Sequence, residues 1–128
     1  MWRSTRIWRN DDYDFALNKY NQALELIGNN DELMEKKVLI MTSIADIMFL
    51  KNDYKGAKNL YYKIANDAEE FNNPYILFSI GKCYYENNEK NKAKEYFIKT
   101  YMLSGIDIFC SENVKYFESI ESMVDIML

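Results

Sequence analysis

Histidine is absent from this chain of 128 residues. With it go the commonest general base and the commonest metal ligand. The two thiols, Cys83 and Cys110, stand far apart, with no CxxC spacing to suggest a metal or redox pair. They are expected as buried or half-buried helix residues. The acidic pairs Asp11-Asp12, Asp31-Glu32 and Glu69-Glu70 are adjacent in sequence, so two members of a pair leave a helix on different faces and do not share a proton or a metal. Solvated helix starts account for them. With no nucleophile–base pair, no cofactor signature and no metal set, the expectation is that the chain is not an enzyme and needs neither cofactor nor metal. What it has in quantity is rings: eleven tyrosines, seven phenylalanines and two tryptophans. Their chemistry is recognition, through large contact area at modest entropic cost.

Composition bounds the partners. Sixteen basic against twenty acidic residues give a net charge of −4, which argues against a broad nucleic-acid footprint. No stretch approaches the roughly 18 apolar residues of a membrane span; Val38–Leu50, the longest apolar-rich piece, is interrupted by Thr42, Ser43 and Asp46. Residues 1–10 have no apolar core after their charges, so they do not read as a secretory signal, and a reducing, cytoplasmic setting without membrane contact is expected. Those ten residues hold both tryptophans (Trp2, Trp8) and every arginine (Arg3, Arg6, Arg9). Arginine with tryptophan suits an arm for acidic protein, nucleic acid or anionic lipid. The favoured expectation is instead a remnant of a first helix, with Ile7 and Trp8 covering the exposed end of the helical array.

The rings need a scaffold, and turn formers mark its joints. They cluster only at Gly28-Asn29-Asn30-Asp31, Lys51-Asn52-Asp53, Asn72-Asn73-Pro74, Asn87-Asn88-Glu89 and Ser104-Gly105. Between them apolar residues recur every three or four positions, the signal of about six helices, and nothing alternates as a strand would. Asp11 and Asp12 are placed before the first helix, Asp31-Glu32 before the second and Asn52-Asp53 before the third, while Asn73 caps a fourth that begins with Pro74.

The helices repeat. Ala57 followed by Tyr61 matches Ala93 followed by Phe97 at an offset of 36, and Ala16 with Tyr20 precedes the first pair by 41. Met41, Ile44, Ala45 and Met48 align at 36 with Leu77, Ile80, Gly81 and Tyr84. A small residue sits where two helices must approach closely, and a long or aromatic one fills the space beside it.

This pattern resembles the tetratricopeptide repeat family, whose unit is a helical hairpin of about 34 residues. The best match runs from Pro74 to Gly105 through Leu77, Ile80, Gly81, Tyr84, Ala93, Phe97 and Thr100. Residues 38–73 are a looser copy, and residues 11–27 match a second helix alone. The resemblance implies an all-α fold in one domain over residues 11–128, with antiparallel helical hairpins stacked as a short solenoid. Residues 110–127, apolar at Val114, Phe117, Ile120, Val124 and Met127, are expected as a C-terminal capping helix.

Function in the family is protein or peptide binding in a concave groove lined by the first helix of each hairpin. Carried onto this chain, the groove-facing residues are Leu39, Thr42, Asp46 and Phe49, then Tyr75, Phe78, Lys82 and Tyr85. Phe49 and Phe78 could instead pack on neighbouring helices. One subgroup grips a terminal carboxylate with Lys, Asn and Arg, but the nearest equivalents here are Thr42, Asp46 and Ser79, which disfavours that mode. The resemblance thus implies an adaptor with a protein or peptide partner. A peptide-sensing regulatory module, or a self-associating protein forming homodimers through the exposed terminal repeat, are the alternatives.

Overall fold

The computed structural model describes residues 9–127; the expectations for Trp2, Arg3, Arg6, Ile7 and Trp8 lie outside the described residues. It is all-α. Eight helices are present among those residues: α1 (Asn10–Ile27), α2 (Met34–Leu50), α3 (Tyr54–Asp67), α4 (Pro74–Glu86), α5 (Lys90–Ser104), α6 (Asp107–Cys110), α7 (Val114–Glu118) and α8 (Glu121–Met127), with one 3-10 turn, Asp31–Leu33, leading into α2. Each of the first five packs mainly on its neighbours in chain order. Phe49 meets Tyr54 across the α2–α3 turn while Asp46, nearly one turn back, reaches Tyr61, so the two helices run antiparallel. Tyr85 beside Lys90, with Gly81 and Phe78 further back against Phe97, shows the same for α4 and α5.

Local chemistry explains the boundaries. Asp53 accepts from the Gly56 amide at 3.0 Å, and Asn73 accepts from Tyr75 at 2.9 Å and Ile76 at 3.4 Å ahead of Pro74. Asn30 takes the cap expected of its neighbours, accepting from Glu32 at 2.9 Å. At the first helix the start moves earlier: Arg9 is the cap, and Asp12 inside the first turn accepts the Arg9 amide at 3.0 Å.

The ends repeat too. After α2 the Asp53 amide bonds to the Met48 carbonyl at 2.9 Å, with Asn52 left-handed at φ 68°. After α4 the Glu89 amide bonds to Tyr84 at 2.9 Å, with Asn88 at φ 64°. Both are six-to-one closures, and asparagine tolerates the left-handed position they require. The α3 helix ends likewise, through Glu70 to Ala65 at 3.0 Å, but with Glu69 at φ 55°.

The core follows the repeat positions. Ala45, Ala57, Ala93 and Phe97 are fully buried, as are Tyr61 and Gly81. Gly81 is required by close approach: a Cβ there would stand 2.7 Å from the Phe97 ring. Burial of each large ring contributes roughly 1.5–3 kcal/mol. Tyr62 on α3 joins the two hairpins, its hydroxyl within hydrogen-bond reach of Tyr84 at 2.9 Å and Tyr96 at 2.5 Å.

Two expectations are corrected. Residues 110–127 do not form one capping helix. Asn113 interrupts them by capping Lys115 at 3.0 Å, and a turn near Ser119 separates α7 from α8. Tyr116, Ile120 and Val124 are buried, whereas Val114 is 69% exposed and Phe117 half-buried. The side chain of Met127 lies outside the described residues. Of the two thiols, Cys83 is buried as expected, but Cys110, the last residue of the short α6, is exposed.

Candidate functional site

The α2 and α4 helices carry the groove candidates. Asp46 leaves α2 toward two later helices: its Oδ1 accepts from the hydroxyl of Tyr61 on α3, and its Oδ2 accepts from Tyr75 on α4 at 2.8 Å. Burial pushes both phenols well above their ordinary value, and the adjacent carboxylate pushes further. Both therefore stay protonated as donors. Ser79 is buried beside both tyrosines.

Thirty-six residues later, Lys82 occupies the corresponding place on α4. Its Nζ donates to Glu112 at 2.6 Å and lies 5.1 Å from the centre of the Phe49 ring and 5.3 Å from that of Phe78. Lys82 thus links α2, α4 and the segment before α7. Tyr85 follows, edge-on to Tyr116 at 5.4 Å. The Tyr116 hydroxyl donates to Glu86 at 2.9 Å, and Lys115 pairs with the same carboxylate at 2.7 Å. Burial first, then Glu86, raises the Tyr116 phenol; Glu86 also raises Lys115.

Four of the eight candidates, Asp46, Tyr75, Phe49 and Lys82, are drawn together in this way. Tyr85 joins at the α7 end. Leu39 is 68% exposed and borders a separate hollow of about 470 Å³ with Val38, Glu70 and Asn73. Thr42 is half-buried. Phe78 is corrected: only 2% exposed, it is enclosed by Phe97, Phe109 and Tyr116 at ring separations of 4.9–5.9 Å and offers no surface to a partner. The rings that cover it come from α5, α6 and α7.

The sequence reading missed Tyr61 as a donor to the site and Glu112 as the lysine's counter-ion. Glu112 sits in a turn with no periodic signal. It also missed a cleft of about 270 Å³ between α1 and α2, lined by Tyr13, Ala16, Tyr20, Asp46, Ile47 and Leu50. A carboxylate offers about four acceptor directions, so Asp46, with a phenol on each oxygen, keeps capacity toward that cleft. Among the described residues no group of three or more His, Cys, Asp or Glu is placed to hold a metal, and no helix is long and apolar enough to cross a membrane.

No protein family model matches this chain, and no curated protein matches it at a meaningful level of similarity.

Proposed function

We propose that this chain is a protein- or peptide-binding adaptor, built as a short tetratricopeptide-like solenoid, that receives an extended segment along α2 and α4. Support for the solenoid comes from positions 36 residues apart that do the same work: Ala45 with Gly81, Ala57 with Ala93, and the closures at Asn52 and Asn88. The observation that carries the binding surface is the row Tyr61–Asp46–Tyr75 and Phe49–Lys82–Glu112, beside the cleft that Asp46 shares with α1. It offers one fixed acceptor, one fixed cation and aromatic edges, which suits backbone amides and a few side chains of a peptide better than a small metabolite.

The test is selection of peptides from a displayed library against the parent, followed by titration calorimetry on Tyr75→Phe and on a Tyr13→Ser, Leu50→Ser pair. Loss of at least about tenfold in affinity, 1.4 kcal/mol, in either variant is expected. Unchanged affinity in both removes this face as the binding surface.

A further inference from the structure

After α5 in chain order, the three short helices line a hollow of about 380 Å³. Its apolar walls are Ile106, Phe109, Val114 and Phe117; Ile106 and Val114 stand 46% and 69% exposed. Its charged lining is one sign only, Glu112, Glu118 and Glu121, with no lysine or arginine. Glu112 is engaged by Lys82, and Glu118 also borders the neighbouring hollow that Lys90, Lys94 and Lys115 line; neither Glu118 nor Glu121, both exposed, forms an ion pair among the described residues. An apolar floor whose rim keeps Glu118 and Glu121 outside any ion pair suits a large apolar side chain flanked by cations.

The chain itself contains such a segment. Trp2-Arg3 and Arg6-Ile7-Trp8-Arg9 hold every arginine and both tryptophans of the protein. Arginine suits the rim, since its planar guanidinium meets a carboxylate in a bidentate fork and is weakly hydrated. Tryptophan supplies the ring that most often anchors an interface. The segment joins α1, which packs on α2, and the hollow lies beyond α5.

We propose that the hollow formed by α6, α7 and α8 receives residues 2–9 of a second copy of this chain. Two copies that exchange these segments reciprocally close into a dimer with a two-fold axis, leaving no unpaired end to propagate. This contact is separate from the α2–α4 face.

Sedimentation of the full chain at low and high salt is the experiment. The parent should dimerise in a concentration- and salt-dependent way, and a parent that stays monomeric throughout overturns the proposal. The Glu118→Lys, Glu121→Lys variant and the Trp2→Ala, Trp8→Ala variant should each self-associate at least about tenfold more weakly. Unchanged circular dichroism would confirm their fold. Mixed together, the two should associate again, because one retains the segment and the other retains the hollow. Self-association at parental strength in either variant, or a mixture that remains monomeric while both are folded, overturns it.

Discussion

The hairpins α2–α3 and α4–α5 share a backbone plan and differ in what they bury. Framework positions agree: Ala45 with Gly81, Ala57 with Ala93, and the left-handed asparagines that close α2 and α4. The positions facing the next helix diverge. Thr42 answers to Phe78, Asp46 to Lys82, and Tyr61 to Phe97. The later hairpin builds a ring cluster around Phe78 and Phe97; the earlier one builds a carboxylate held by two phenols. Yet Asp46 and Lys82 reach equally far along the chain, to Tyr75 and to Glu112. Small residues set how closely helices stack, and the adjoining row is then free to change chemistry without changing the stack.

Removing the rings gives the sharpest contrast. Phe97→Ala should cost about 3–5 kcal/mol by chemical denaturation, because the cavity opens among Phe78, Phe109 and Tyr116. Its equivalent, Tyr61→Phe, keeps the ring and leaves Asp46 held by Tyr75, so about 1–2 kcal/mol is expected. Equal losses would break the distinction between apolar and polar halves. Next in size, Gly81→Leu should cost at least the 1–3 kcal/mol or so of ordinary overpacking, since its side chain must displace the Phe97 ring. Ala45→Leu should cost less, and the reverse order would place the tight crossing in the wrong hairpin.

Alkaline pH separates the halves through different groups. Burial pushes the Cys83 thiol from 9.0 up to about 12. Below pH 9 the unfolded and folded chains both hold this proton and its contribution is complete. Above pH 9 the unfolded chain releases it first, so stability falls by about 1.4 kcal/mol per pH unit as pH rises toward 12. Cys83→Ala should flatten the urea midpoint over that window. Tyr61 is raised from 10.0 in the same direction, so Tyr61→Phe should flatten it only above pH 10. The smallest effect belongs to Lys82 and Glu112, whose side chains keep 15% and 32% exposure. A double-mutant cycle to alanine should give a coupling of about 0.5–1 kcal/mol, reduced by salt. A larger value would make the charged row as important to folding as the rings.

Much of the helix content and of the packing between consecutive helices could be read from spacing alone. Ala57 with Tyr61, Ala93 with Phe97, and Asn73 before Pro74 are local signals, and local geometry honours them. What escaped is what arrives from elsewhere in the chain. Phe78 sits on a helix face that spacing assigns to a groove, but Phe109 and Tyr116 cover it from 31 and 38 residues further along the chain. Val114, Phe117, Ile120 and Val124 keep a helical period across a turn that contains neither glycine nor proline, so periodicity joined what Ser119 separates. Spacing put both Asp46 and Tyr75 among the candidates; that the phenols of Tyr75 on α4 and Tyr61 on α3 converge on one carboxylate was not legible.

The three phenols at Tyr62, Tyr84 and Tyr96 also act as a vernier between the hairpins. One hydroxyl on α3 engages both members of the following pair at once, so slippage of either member would strand it. The last pair therefore detaches whole, and amide exchange should release α4 and α5 as a single unit while α1 frays independently.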